Sequence, residues 1–442
     1  MKFIEDNYLQ FSRLRHDVIS DKLQVRVAHP IGDRLEAKGE RQEQWREMTK
    51  HDINSIVCHC AQECDMNITS REVMTALQSD LIPDVHPLRE YILSLPPFTP
   101  DQPDWIDWVA QQVRIADSAS SGVQELRSSG VTSEPARSAT EPSEPLTIGS
   151  NADALWRACF KKWFVAMVAS WMKDEVVNHQ VLVLIGKQGI YKTTWLEHLI
   201  PPHLRAYACK LANSADLNKD ERLRIAEFGL ISLDEIDSMN NRELNQLKSI
   251  ITATDVNERA AYAYTKERRV RLASFCASGN RRDFLTDITG NRRWLPFEVE
   301  SIQSPFTTIL PYERMYAQAW ALAQDPFFSY WFDLDEIEVL EQHNQHFRDE
   351  SNEEQLLDVY FAVPPTDATN AKFLTTAEIS ERLIYYGNIK KPMSLSRLGV
   401  LLSQKGFLSV RRGNPSRRGW IIYERESQEV NSERSVLSKD LY

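Results

Sequence analysis

Nine consecutive residues, Gly186, Lys187, Gln188, Gly189, Ile190, Tyr191, Lys192, Thr193 and Thr194, carry the chemistry of anion binding. They follow the apolar run VLVLI, so a strand ends and a helix starts here, and backbone N–H groups and the positive end of the helix converge on one point. In that setting Lys192 reaches the β- and γ-phosphates of a nucleotide, and the Thr193 hydroxyl ligates Mg²⁺. The spacing fits G-x-x-x-x-G-K-[ST] with one departure. Tyr191 stands where the pattern has its last glycine, which raises a steric question. The alternative is a Gly-containing turn with a chance Lys-Thr pair.

Further along, LISLDE ends an apolar run on Asp234 and Glu235. Two carboxylates at a buried strand end are costly unless they serve a cation. Asp234 is expected to hold Mg²⁺ through water and Glu235 to orient or deprotonate an attacking water. Asp237, in the same DEID run, is expected only to open a surface loop. A third run, RLASFCASGN, ends on Asn280, whose amide suits both a γ-phosphate and the lytic water; alone, such a residue merely caps a turn. Arg292 and Arg293 then precede the apolar WLPFEV, and either can act across a subunit boundary on a neighbour's γ-phosphate. The ordered series implies ATP and Mg²⁺ as cofactors and ATP hydrolysis as the reaction.

Positioning these residues requires helix, buried strand, glycine loop and helix, then further strands from FGLISLDE and RLASFCASGN, which is the order of an α/β nucleotide-binding core. The aromatic helix ahead of it repeats Trp156, Phe160, Trp163, Phe164, Met167 and Trp171 at three- and four-residue steps. We place this ATPase domain at 151–330. Residues 1–116 read as a mainly helical module with Asp52 and Ser70 as caps, and 117–150, rich in Ser, Thr, Glu and Pro, as a flexible linker. A helical acidic connector spans 331–365. Residues 366–425 give helix, helix and a hairpin around Gly-Asn-Pro, a winged-helix-like pattern, and 426–442 a polar tail.

The stretch 155–300 resembles the virulence-associated protein E family, proteins of mobile elements and prophages that are similar to superfamily 3 helicases within the AAA+ class. The resemblance rests on GKQGIYKTTW, LDEID, LKSIIT, CASGN and DITGNRRWLPFEV in that order. It implies an α/β fold with an AAA+-like P-loop ATPase core, and a homo-oligomeric ring, a hexamer, driving a DNA helicase or translocase in mobile-element replication. It also implies a DNA-touching hairpin entering a central pore, near whose tip Lys266, Arg268 and Arg269 fall, with single-stranded or forked DNA as the pore's partner. Some relatives carry a primase on the same chain. Residues 1–116 show no convincing primase carboxylate set, which leaves a separate primase as a partner. The rival reading is a regulatory or defence switch that oligomerises and hydrolyses ATP without unwinding DNA.

Composition limits where DNA can bind. The 442-residue chain has a formal net charge of -11, so nucleic-acid contact must be local. Between residues 390 and 418 lie Lys390, Lys391, Arg397, Lys405, Arg411, Arg412, Arg417 and Arg418 with no acid among them. The last four residues of this set, Arg411, Arg412, Arg417 and Arg418, lie on the hairpin and are the expected duplex contacts through phosphates. Six scattered cysteines without a signal peptide suggest a reduced, cytoplasmic setting, and no apolar run is long enough to span a membrane. Cys58, Cys60 and Cys64 near His51 have metal-ligand types, yet their helical spacing reads as core thiols.

Overall fold

The computed structural model describes residues 14–29, 42–116, 152–211, 219–258, 267–285, 291–365, 370–390, 392–412 and 416–425. The expected linker and tail, together with Lys266 and Lys391, lie outside them. The chain divides into two units, Met1–Arg281 with Arg293–Leu340, and Arg282–Arg292 with Glu341–Tyr442.

The first unit starts with β1 (Leu14–Asp17), β2 (Lys22–His29), β3 (Gln42–Glu47), α1 (Lys50–Cys64), α2 (Ser70–Leu77) and β4 (Asp84–Val85). The strands form one sheet in the order β3-β2-β1-β4. The expectation of a mainly helical N-terminal module is therefore corrected to α+β. In β2, Leu23, Val25 and Val27 alternate with polar residues, the period of a half-buried strand. Leu14 and Val25 close a small core with Ile56, Cys60, Val73, Leu77 and Ile82 of the helical segments. The helix caps also shift by one position or more. Thr49 caps α1 with Asp52 completing its capping box, and Thr69 caps α2 with Glu72 in that role. Cys60 is core, while Cys58 is exposed.

The boundary at residue 116 shifts as well. After α3 (Pro87–Ser94) and α4 (Trp105–Ala110), β5 (Val113–Ile115) pairs antiparallel with a strand almost two hundred residues later. Leu88, Ile92, Ile106, Val109 and Val113 join the main core. That core surrounds α5 (Ala152–Met172), which is buried over most of its surface, with Asp153, Arg157 and Lys161 on one charged stripe. Its three buried indoles each donate to a backbone carbonyl: Trp156 to Ala110 at 3.0 Å, Trp163 to Phe275 at 3.1 Å and Trp171 to Gly229 at 3.0 Å. The last two acceptors lie on or beside the strands that carry the chemistry, so α5 fixes those strands' height and register.

The sheet on which α5 rests follows from β6 (Val181–Ile185), α6 (Lys192–His198), β7 (Ala208–Leu211), α7 (Lys219–Glu227), β8 (Leu230–Leu233), α8 (Asn241–Thr252), the hairpin β9 (Asp255–Glu258) and β10 (Glu267–Val270), β11 (Ser274–Gly279), β12 (Trp294–Ile302) and α9 (Tyr312–Gln324). Six strands align in the order β5-β12-β6-β11-β8-β7. All neighbours are parallel except β5 with β12. Strands β6, β8 and β11 are buried along their whole length, as parallel strands covered on both faces must be.

α10 (Leu334–Gln345) leads to the second unit, which holds α11 (Asn352–Tyr360), β13 (Phe361–Ala362), β14 (Lys372–Leu374), α12 (Thr376–Gly387), α13 (Leu395–Gln404), β15 (Leu408–Arg412) and β16 (Arg417–Glu424). Leu357, Ile379, Leu398, Leu402, Trp420 and Ile422 form its own core. Thr375 and Glu378 make the capping box of α12, and Gly406, at φ +82°, ends the turn after α13.

Candidate nucleotide site

The loop Gly186–Tyr191 leaves the carboxyl end of β6, flanked by the ends of β12 and β11. Gly186 is required there. At φ +154° it donates to Gly279 O at 3.2 Å, and a Cβ would come within 2.6 Å of Val299 O. Lys192, only 7% exposed, folds back under the loop. Its Nζ donates to Gly186 O and Lys187 O, each at 2.7 Å, and to Asn280 Oδ1 at 3.2 Å. The ammonium's three donors thus all point at the loop and the end of β11. Burial pulls its pKa down, and the fields of Asp237 and Asp234 oppose that pull.

Beside it lies a second cluster. Thr193 Oγ1 is 3.2 Å from Asp234 Oδ1 and 2.8 Å from Ser278 Oγ, and Ser278 Oγ donates to Asp234 Oδ1 at 2.8 Å. Lys210 of β7 closes the other side, with Nζ 2.7 Å from Asp234 Oδ2. Burial raises the Asp234 pKa, but Lys210, Ser278 and Thr193 more than offset it and hold the carboxyl below the usual range. Glu235 stands exposed next to it. Among the described residues, five other than glycine have positive φ. Three are Asp or Asn, for which this region is common; the others are Tyr191 at 68° and Glu235 at 52°. Both outliers lie at this site, where backbone strain tends to be retained for a purpose. Tyr191 answers its steric question by taking the left-handed conformation and leaning its ring on Phe306.

Three members of the site escaped sequence reasoning. Ser278 shares a strand face with Asn280 by period-two alternation, a signal that was present. Lys210 enters through the adjacency of β7 and β8, which no local pattern announces. Asp237, expected to open a surface loop, instead turns inward. Its Oδ2 accepts from the Arg281 N–H at 3.0 Å, and its Oδ1 is buried against Gly279 with no hydrogen-bond partner among the described residues.

Other expected residues fall elsewhere. Trp294 pairs with Val181, so Arg293 sits at the amino end of the sheet, about 16 Å from the loop at ~3.3 Å per residue. There its charge reaches His179. Arg292 lies exposed in the turn Asn291–Arg293 and belongs to the other unit. Arg268 pairs with Asn257 and Arg269 with Val256, so both lie within the paired strands β9 and β10. Arg269 is a correction in a further respect. It is half-buried between Asp21 and Glu227, while the exposed Arg268 pairs with Asp255. Arg411, Arg412, Arg417 and Arg418 are all exposed. Arg411 lies directly across from Arg418 and Arg412 from Arg417. Lys405 is committed to Asp358 and Glu354.

Residues 140–355 match the model of the virulence-associated protein E-like domain. This stretch is thus a virulence-associated protein E-like domain. The matched stretch contains the whole loop, the Asp234 cluster and Asn280. Among solved structures, the A form apo structure of the NrS-1 C terminal region (305–718) is similar, at 10% identity and a TM-score of 0.41, covering 93% of this chain and 96% of that one. A second apo structure of the same region gives the same values. No curated protein matches the sequence. No helix among the described residues is long and apolar enough to cross a membrane.

Proposed function

We propose that this protein, through its virulence-associated protein E-like domain, is a Mg-ATP-driven DNA helicase or translocase of the superfamily 3 type, acting in replication of a mobile element or prophage. The observation that carries the reading is the convergence of Lys192, Thr193, Asp234, Ser278 and Asn280 at one edge of a parallel sheet. The strand order, with the loop strand β6 between β12 and β11 and the acidic strand β8 next in line, supports an AAA+-like P-loop core. The hydroxyl and carboxylate oxygens of Thr193 and Asp234 suit Mg²⁺, and Lys210 on Asp234 shows that this carboxylate already takes a positive charge. Bound there, the metal supplies charge neutralisation to the phosphates. With nucleotide bound, Lys192 would donate to phosphate oxygen in place of a loop carbonyl, Asn280 lies within reach of the same ammonium, and Glu235, exposed beside them, would orient water.

Arg293 stands too far from its own loop to serve it, which favours action on a neighbour's nucleotide in a ring. The second unit suits duplex DNA as a winged-helix-like module. Like charges placed directly across a hairpin are unfavourable by themselves, and two such arginine pairs are relieved by a polyanion. Hydrolysis of ATP by the purified protein, with and without single-stranded and forked DNA, tests this reading. Mg²⁺-dependent turnover stimulated several-fold by DNA is expected. Turnover indifferent to DNA would favour the regulatory switch, and no turnover would remove the ATPase assignment.

Asp237 gives a narrower test. Its carboxylate fixes the turn after Asn280 and lends its field to Lys192. Asp237→Ala is expected to weaken nucleotide binding about tenfold, ~1.4 kcal/mol, by freeing both. Asp237→Asn, which keeps the acceptor for the Arg281 N–H, is expected to lose less. A binding titration in which Asp237→Ala matches the parent would return the residue to a loop role.

A further inference from the structure

The phosphate half of the site is built from polar atoms, but its rim is aromatic. Strand β12 lies next to β6 with Glu298 opposite Ile185, and it runs on to Ile302. The segment that follows therefore emerges at the same sheet edge as the phosphate loop. It carries Phe306, 71% exposed, and Ile309, 87% exposed. The Tyr191 ring meets Phe306 edge-on at 6.1 Å and 80°, and His198, at the far end of α6, meets it at 5.8 Å and 82°. Two edge contacts set the orientation of the Phe306 ring while most of its surface stays open to solvent. Large aromatic surface held in place yet left wet calls for an occupant.

We propose that Tyr191 and Phe306 form the seat of the nucleobase, completing a nucleotide site whose phosphate half is the loop; the proposal rests on the ATP reading above. The occupant is a flat heterocycle tethered to phosphates, because the rings adjoin the phosphate loop and Tyr191 belongs to it. Stacking is the recognition mode, since the seat is made of ring faces and edges, and stacking tolerates any base in proportion to its surface. Purine nucleotides are therefore preferred over pyrimidine nucleotides, with ATP and GTP bound alike. The seat also accounts for tyrosine at the position where the G-x-x-x-x-G-K pattern has glycine. Its left-handed backbone is a standing cost, and the ring is what that conformation places against Phe306.

Titrations with MgATP and with Mg²⁺ plus inorganic tripolyphosphate separate the two halves of the site. Phe306→Ala is expected to weaken MgATP binding about tenfold, the size of one base–aromatic stack, and to leave tripolyphosphate within about twofold. Phe306→Trp should retain MgATP affinity. Tyr191→Gly, which keeps the backbone conformation at no steric cost, should lose ATP selectively as well. Equal losses of both probes in Phe306→Ala, unchanged ATP affinity, or parental protein that binds ATP no better than tripolyphosphate would each overturn the base seat while leaving the phosphate loop standing. Parental protein that binds neither probe overturns the nucleotide reading itself, and the base seat with it.

Discussion

Lys192→Ala is expected to abolish nucleotide binding, whereas Glu235→Gln is expected to bind nucleotide within about twofold of the parent and lose turnover by roughly 10²–10⁴, the usual contribution of a positioned base. The contrast follows from where the two groups stand. The Lys192 ammonium is buried under the loop and held by two of its carbonyls and by Asn280, so it meets the phosphates of the bound ground state. Its removal takes away a charge-assisted contact in a desolvated place, a loss of about 3 kcal/mol or more than a hundredfold in affinity. Glu235 is exposed at the mouth, and in this reading it serves only the attacking water. Equilibrium titration with a fluorescent ATP analogue and steady-state phosphate release measure the two quantities separately. Glu235→Gln protein that turns over at the parental rate would transfer the base role to another group, with Asp237 the nearest carboxylate on the same turn.

Lys192, Thr193, Asp234 and Asn280 were legible in the sequence because each follows an apolar strand, directly or across the glycine loop, where a buried run gives way to polar residues. Lys192, Thr193, Asp234 and Asn280 come together in the structure for that reason: parallel strands put all their carboxyl ends on one edge. What was not legible depends on contacts between distant segments. Lys210 reaches Asp234 only because β7 adds to the outer edge of β8. Arg269 looked available for DNA in the basic run KERRVR, but Asp21, far off in the chain, and Glu227 claim it. The N-terminal strands are a different failure. Their residues are short runs with many charges, and the adjacent Asp52 and Ser70 helices made the whole segment read as helical. The alternation of Leu23, Val25 and Val27 was the available counter-signal. In the second unit, helix caps and the Gly406 stop were visible locally, and the structure places helix ends there.

The largest expected effect on stability belongs to a residue with no part in the chemistry. Arg271 is 1% exposed. Among the described residues no carboxylate pairs with it; its guanidinium donates to five backbone carbonyls. Nε reaches Ala273 O at 3.0 Å, Nη2 reaches Asn178 O at 2.9 Å, and Nη1 is shared among Ile250 O, Ile251 O and Ala253 O. Three of these acceptors end α8, where a cation is favoured by the helix dipole; Ile250 O also accepts from the Ala253 N–H, and Ile251 O also lies 3.3 Å from His179 Nδ1. Asn178 leads into β6. One side chain thus ties the helix that follows the acidic pair to the strand that feeds the phosphate loop. Burial pushes the guanidinium pKa down to about 9, which leaves it charged at neutral pH. Arg271→Met keeps much of the volume and removes every guanidinium donor, leaving buried carbonyls such as Asn178 O and Ala253 O without that partner. The expected loss is roughly 3–5 kcal/mol, as for other buried charged groups whose partners are left behind. Arg271→Lys retains the charge but not the planar fork, so it should recover only part of that loss. Urea unfolding followed by tryptophan emission checks this, because Trp156, Trp163 and Trp171 are buried in the same unit as Arg271. The transition they report should move to lower urea in Arg271→Met while that of the second unit, followed through an amide-exchange probe on β16, stays in place. An unchanged first transition would mean that the stranded carbonyls find other donors and that the tie between α8 and β6 is not needed to hold the site together.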